Sequence, residues 1–460
     1  MNEIVEANID GETMSRVSTK TIQVAVGDLN GILRGKILPI KSLKKLENRS
    51  VRLPLSTLNV DLFGEDIENS PLVFGSGDKD GYITSTGREP FRFKWLQNAP
   101  LFYPCWMFKE SGETFLGDAR HTLAKTLEGY TEKGWNAIAA TEMEFYLVNT
   151  RNGALEPPIN PKTKNPLVCA DVLSTQDLND FEVILGEIQE ACIEAGIDFE
   201  SITSEAGCGQ FEVTLKHRNA LLAADDALFF KIITKGVALK HGMTATFMAK
   251  PYLEQPGNGM HVHFSILDRN GENIFSNGGD TGSKFLKTAV GGCLSTMEAS
   301  TLIFAPYENS YERLTPKAHA PTGISWAYEN RTAAIRIPMG SPASKRVEIR
   351  VAGGDANPYL LFTSIFGAAL MGIENKTNAP QPIHGDAYLL KLPQLAKNWS
   401  SAIELFENDS CIKNIFPKSL VANLVLTKKQ ELQQFDKIAS DDKWKYYICL
   451  LYTSDAADDS

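Results

Sequence analysis

The sequence predicts an α+β protein. Strand-like and helix-like segments interleave along it without an internal repeat, and several strand-like segments gather their charged residues on one side. With 460 residues, 43% of them apolar and 22% charged, the chain has the length for two or three domains and the composition of an ordinary globular protein.

The first element is a hairpin over Thr21–Pro39, where apolar and polar residues alternate around Asp28-Leu29-Asn30-Gly31. Asn-Gly between two strand-like runs is the strongest short hairpin signal. The glycine- and charge-rich stretch from Asn69 to Glu89 reads as a long loop. Within it, Asp78-Lys79-Asp80-Gly81 reads as a turn, because the later ligands of a calcium loop are missing.

A boundary near Ser111-Gly112 follows the Pro- and aromatic-rich Pro100–Phe108, separating an N-terminal domain (1–110) from a second one (111–448). Ser174–Ala195 is expected to be helical, with Leu178, Phe181, Leu185, Ile188 and Cys192 as its apolar stripe. His217–His241 is expected to be a second helix, ended by Gly242. From Asn357 onward the pattern is mainly helical. Residues 449–460 continue no pattern and read as a non-native or disordered tail.

Several function classes are disfavoured. A net charge of −10 argues against a nucleic-acid binder, whose affinity rests on neutralising phosphates. The first 14 residues are acidic and lack a basic start and an apolar stretch, so no secretory signal is expected. No apolar run is long enough for a membrane span. The seven cysteines contain no C-x-x-C pair and read as reduced thiols of a cytoplasmic protein.

Five short segments share one design. Glu142 and Glu144 oppose Met143, Phe145 and Leu147 in Ala137–Val148, and Gln210 and Glu212 oppose Phe211 and Val213 in Gly209–Leu215. His261, His263 and Ser265 oppose Val262 and Phe264 in Met260–Ile266. Arg336 opposes Ile335 and Ile337 in Thr332–Pro338, and Arg346, Glu348 and Arg350 oppose Val347, Ile349 and Val351 in Arg346–Val351.

Period-two alternation sends each set to one face of a sheet. For any one strand the plain explanation is a solvated face. Together, and with Glu205 just ahead of a strand, these residues form a face rich in carboxylates, with histidine and arginine among them. Carboxylates so placed repel unless cations sit between them. Oxygen and imidazole ligands suit Mg²⁺ or Mn²⁺. Arginines beside such ions suit phosphoryl transfer from ATP. No Walker A motif and no G-x-G-x-x-G after a strand is present, so a P-loop or Rossmann site is not expected.

At these residues the chain resembles the glutamine synthetase family. The resemblance lies in Lys250 through Ser265, in Asn309-Ser310-Tyr311-Glu312-Arg313-Leu314, in Asn330-Arg331 through Pro338, in Arg346-Val347-Glu348-Ile349-Arg350 and in Asp355-Ala356-Asn357-Pro358-Tyr359, within a similarity spanning about residues 20 to 447. It implies an N-terminal β-grasp-like domain, then a catalytic domain whose curved antiparallel sheet is backed by helices. It also implies a homo-oligomer of stacked rings, a dodecamer, with active sites between subunits.

By the same resemblance, Glu144, Glu205 and Glu212 hold one divalent ion, and Glu142, His261 and Glu348 a second. Arg313 binds the glutamate α-carboxylate with backbone help from Gly257. Arg331, Arg336 and Arg346 face the phosphates, Arg350 faces the γ-carboxylate, and His263 and Lys250 belong to the ATP site.

Two departures bear on the substrate. Where glutamine synthetases carry a glutamate that helps bind and deprotonate ammonium, Arg313-Leu314-Thr315-Pro316-Lys317-Ala318 leads to His319. The Asp-Gly-Ser-Ser motif is also absent, with Leu53-Pro54-Leu55-Ser56-Thr57 in its place. A small cation needs anionic walls to offset its desolvation. Their loss favours a larger amine, with His319 as the group that takes a proton from the attacking nitrogen. The subgroup most similar to this chain ligates glutamate to putrescine. Methylamine, isopropylamine, ethanolamine and aromatic amines stay open alternatives, and a glutamine synthetase using ammonium is the second reading.

Overall fold

In the computed structural model, which describes residues 20–150, 153–169, 171–316 and 320–450, fifteen strands form two sheets. The first contains β1 (Thr21–Gly27), β2 (Leu33–Pro39), β3 (Val51–Pro54), β4 (Asp80–Ser85), β5 (Phe91–Arg92) and β6 (Leu101–Lys109), ordered β2-β1-β6-β4-β3 with β5 on β6. β1 and β6 run parallel, and the other pairs are antiparallel.

The expected hairpin is present, closed by a three-residue loop. Asp28 donates its N–H to the Ile32 carbonyl at 2.9 Å, and Gly31 takes the left-handed conformation that such a loop requires (φ 77°). The Asp28 carboxylate accepts from the N–H groups of Asn30 and Ile32 and from Arg34 Nε. Beyond the loop, Asn30 joins the helix Lys418–Phe435: its amide donates to Glu431 at 2.9 Å, and its carbonyl oxygen accepts from Lys428 Nζ at 2.7 Å. Asn357 donates to the carbonyl oxygens of Asp28 and Leu29.

The expected loop Asn69–Glu89 contains a strand, β4, in the interior of this sheet. Gly81 is what its close pairing demands, since a Cβ there would lie 2.4 Å from the Phe108 carbonyl oxygen.

The second sheet is built from β7 (Asn136–Val148), β8 (Phe199–Ser204), β9 (Gln210–Leu215), β10 (Arg218–Asn219), β11 (Thr244–Thr246), β12 (Met260–Leu267), β13 (Trp326–Tyr328), β14 (Ile335–Ile337) and β15 (Val347–Ile349). Its order is β13-β14-β15-β12-β7-β9-β8, with β10 and β11 also on β7. All pairs are antiparallel except β13 with β14. Met143, Phe145, Leu147, Phe211, Val213, Val262 and Phe264 are buried, as the alternation predicts. They share one core with the long helices Ala220–Lys240 and Pro358–Glu374.

The expected helix over Ser174–Ala195 is two helices, Thr175–Asp180 and Glu182–Glu194, broken at Phe181. The second expected helix starts at Ala220 rather than His217. Residues Arg218–Asn219 pair with β7, and Asn219 caps the helix by accepting from the Leu221 N–H. The last helix, Lys443–Leu450, runs two residues into the expected tail, and the rest of that tail lies outside the described residues. Among the described residues no helix is long and apolar enough to cross a membrane.

Candidate active site

Strand register brings the predicted residues side by side on the polar face. Glu144 pairs with Glu212 across β7 and β9, and Glu142 pairs with His261 across β7 and β12. Glu348 then pairs with His263 on one side and Arg336 on the other. Residues from five segments up to about 200 positions apart thus form a staggered row, stepping two residues along β7 (Glu144 to Glu142) and two along β12 (His261 to His263) between paired sets.

Glu142 is held by two imidazoles, with His261 Nδ1 at 3.1 Å and His263 Nε2 at 2.9 Å. Burial alone would raise its pKa, but these hydrogen bonds outweigh it and hold the carboxyl far below the usual range. Arg346 Nε donates to His263 Nδ1 at 3.2 Å. That ring nitrogen is therefore the acceptor, and Nε2 carries the hydrogen that meets Glu142.

Glu348 is fully buried and accepts from Arg336 Nη1 at 2.8 Å and from Arg350 Nη1. Burial opposes its ionisation. The imidazole of His263, the Arg350 guanidinium and the imidazole of His261 beside it prevail and lower its pKa.

Glu212 and Glu205 behave oppositely. Burial, followed by repulsion from Glu142, Glu144 and Glu205, pushes Glu212 up to about 9, with partial relief from Arg331. Burial and the charges of Glu144 and Glu142 raise Glu205 to about 7. Ligand atoms of Glu142, His261 and Glu348 lie within 4.8 Å of one another, and so do those of Glu144, Glu212 and His261. His261 stands in both groups, while Glu205 lies outside both and acts on them through its charge.

This donor set fits divalent cations. It offers hard oxygen and imidazole ligands, and burial together with repulsion from neighbouring carboxylates raises the pKa of Glu212 and of nearby Glu205, a shift that bound positive charge would reverse.

The loop before β12 closes one end. Glu144 accepts from the Gly259 N–H at 2.6 Å. Buried Arg313 donates to the Val351 carbonyl at 2.7 Å and senses the charge of Glu144. Its side chain lies against Gly257, where a Cβ would approach Arg313 Cγ to 2.9 Å. Gln210 bonds both the Gly257 carbonyl and Asn258, and Asn258 donates to the carbonyls of Thr246 and Met248. Lys250 lies at this end also. Its ammonium donates to the Gln255 carbonyl at 2.5 Å and is depressed by burial and by Arg313.

At the other end Arg331 is exposed, and its carbonyl accepts from Arg350 Nε. Arg336 also pairs with Glu329 at 3.2 Å, while its buried Nε has no partner among the described residues. His319 lies outside the described residues. Sequence reasoning puts Gln210 on the polar face without a role, and does not single out Glu329 or Asn258 for the site. The Asn between two glycines in Gly257-Asn258-Gly259 is the signal that points to the last of them.

Comparison with known proteins agrees with this geometry. Residues 116–447 match the glutamine synthetase catalytic domain. The chain is 34% identical over 443 residues to gamma-glutamylputrescine synthetase PuuA of Escherichia coli (strain K12), covering 94% of this chain and 92% of that protein. It is 31% identical over 452 residues to glutamate–isopropylamine ligase of Pseudomonas sp, covering 94% and 95%. A solved structure described as a novel glutamine synthase homolog has the same fold, with TM-score 0.81 at 24% identity over 95% of this chain and 100% of that one. The protein belongs to the glutamine synthetase family and is a glutamate–amine ligase.

Proposed function

We propose that this protein joins the γ-carboxylate of glutamate to a small organic amine, putrescine first among them, through γ-glutamyl phosphate. A γ-carboxylate oxygen attacks the terminal phosphorus of ATP and ADP leaves. The amine nitrogen then attacks the acyl carbon, phosphate departs, and the nitrogen gives up a proton. The observation that carries this reading is the row Glu212, Glu144, Glu142, His261, Glu348 and Arg336 on one sheet face.

Glu142, His261 and Glu348 would hold one divalent ion, and Glu144 and Glu212, with Glu205 and His261 beside them, a second. Bound Mg²⁺ or Mn²⁺ there supplies positive charge to the phosphate oxygens. Arg313 and the Gly257 backbone receive the glutamate α-carboxylate, and Arg350 orients the γ-carboxylate. Arg331, Arg336 and Arg346 face the phosphates, which the unpartnered Arg336 Nε supports. His263 and Lys250 complete the nucleotide side, and His319 takes the amine proton.

Putrescine is supported by the relative from Escherichia coli. We place the enzyme in the cytoplasm, where the six described cysteines stay as thiols. We place its active sites between subunits of a ringed dodecamer of the family type, which the exposure of Arg331 supports.

The test is coupled ADP release with glutamate, ATP and Mg²⁺. The amines are ammonium, putrescine, methylamine, isopropylamine, ethanolamine and aniline. Preference for putrescine is expected. Preference for ammonium would make the chain a glutamine synthetase, and no amine-dependent release would sink the ligase reading.

A further inference from the structure

The turn that carries Glu205 is closed by its own hydrogen bonds. Glu205 donates its N–H to the Gln210 carbonyl at 2.9 Å, Gln210 donates to the Gly207 carbonyl at 2.9 Å, and Gly207 donates to Gln210 Oε1 at 3.0 Å. Cys208 belongs to this turn. It is buried, and its N–H is held by Gln255 Oε1 at 2.7 Å.

The chain that carries Cys169 runs alongside and is anchored before and after that residue. Leu167 donates to the Pro158 carbonyl at 3.0 Å, and Pro158 lies against Gly209, where a Cβ would approach its Cγ to 2.6 Å. On the other side, the Ser204 hydroxyl donates to the Asp171 carbonyl at 3.0 Å, and Leu173 donates its N–H to the Ser204 carbonyl at 2.9 Å.

Cys169 is exposed between these anchors, and the Cys208 thiol donates to its carbonyl oxygen at 3.6 Å. A carbonyl oxygen lies about 2.4 Å from its own Cα, which puts the Cys169 Cα within about 6 Å of the Cys208 sulfur. Disulfides join Cα atoms about 4.4–6.8 Å apart, so a modest shift of the exposed residue brings the two sulfurs together. The thiols already act on each other: burial first, then Cys169, push Cys208 above the usual thiol range. Cys105 and Cys293, by contrast, are buried and donate to the Tyr103 and Ile365 carbonyls.

We propose that Cys169 and Cys208 are a redox modification site that closes to a disulfide when hydrogen peroxide is present. The peroxide gives one oxygen to the exposed Cys169 thiol, forming a sulfenic acid and one water. The Cys208 sulfur then attacks that sulfur, the S–O bond breaks, and hydroxide leaves with the Cys208 proton as a second water. Two thiols are thereby oxidised to one disulfide and the peroxide is reduced. In a reducing compartment such a bond is transient, reopened by thiol exchange.

The bond would tie the Glu205 turn to the neighbouring chain. Glu205 stands outside both groups of metal-ligand atoms, so to serve as a ligand it must move toward Glu144 and Glu212. The disulfide restrains that movement and weakens the site, a consequence that rests on the metal role proposed above for Glu205.

The test treats the full-length protein with hydrogen peroxide, blocks the remaining thiols and reads the digest by mass spectrometry. Peptides joined through Cys169 and Cys208 are expected, separated by dithiothreitol and absent from Cys169→Ser and Cys208→Ser. Amide hydrogen exchange over residues 204–210 should slow in the oxidised wild type and not in Cys169→Ser. Mn²⁺ affinity should fall by about tenfold on oxidation, recover with dithiothreitol and hold steady in Cys169→Ser. Oxidation of Cys169 to the sulfinic acid without joined peptides, or joined peptides with unchanged exchange, would overturn the proposal. Joined peptides with unaltered Mn²⁺ affinity would overturn the restraint on Glu205. A reduced protein that binds no Mn²⁺ would count against the metal reading alone, because the bond is read without metal.

Discussion

His263 Nε2 lies 2.9 Å from a carboxylate oxygen of Glu142, and the other ring nitrogen of His263 is already occupied by Arg346. The imidazole therefore acts as a fixed donor that aims Glu142 rather than as a free base. Glu142→Gln should lower divalent-metal affinity by about a hundredfold, and His263→Gln, which acts through Glu142, by about tenfold. Mn²⁺ titration followed by electron paramagnetic resonance checks both. Equal losses would mean that His263 meets the metal itself.

Gly259→Ala tests the site without removing any functional side chain. The added Cβ would fall 2.8 Å from Arg313 Nη2 and 2.9 Å from His261 Nε2. Displacement on that scale should reduce kcat by about a hundredfold while the circular dichroism spectrum stays that of the wild type. Wild-type turnover would show that the loop yields.

Metal uptake should release protons. Glu212, raised to about 9, binds a proton at neutral pH in the metal-free protein and Glu205, raised to about 7, does so in part, and positive charge bound beside them favours the ionised form of both. Mn²⁺ binding should therefore strengthen as pH rises from 6 to 9, about up to tenfold per pH unit for each proton displaced. Calorimetry in buffers of different ionisation enthalpy counts the protons.

The same shift fixes a stability trend. A carboxyl whose folded pKa is raised contributes stability that is full below its ordinary value of 4.5 and lost as pH rises through about 9. Glu212→Gln should accordingly raise the Tm of the metal-free protein at pH 8 and leave it nearly unchanged at pH 4.5. An identical change at both values would assign the effect to packing.

Lys428 and Glu431 form a buried ion pair at 2.8 Å, and Glu431 also accepts from the Leu62 N–H. Lys428→Met leaves the carboxylate buried without its cation and should cost about 3–5 kcal/mol. Adding Glu431→Leu should recover part of that loss, as measured by urea unfolding.

The polar row was legible because a period of two assigns each residue to a face whatever lies beside it. Glu142 and Glu212 could be placed on polar faces from their own segments, but the pairing of Glu142 with His261 depends on which strands become neighbours. The strand Asp80–Ser85 was hidden because its Asp-Gly start carries turn chemistry. There the close approach of β6 outweighs local propensity. The break at Phe181 was equally silent, since the apolar stripe runs through it.

The bonds from Asn30 to Lys428 and Glu431 join positions 398 and 401 residues apart. During synthesis the turn is made well ahead of both partners. Contacts of such sequence separation carry a large loop-closure cost and form late. Phe91 and Phe102 can already pack on Phe229 of the helix Ala220–Lys240, so the sheet is seated from mid-chain while its turn is pinned only once residue 431 has been made.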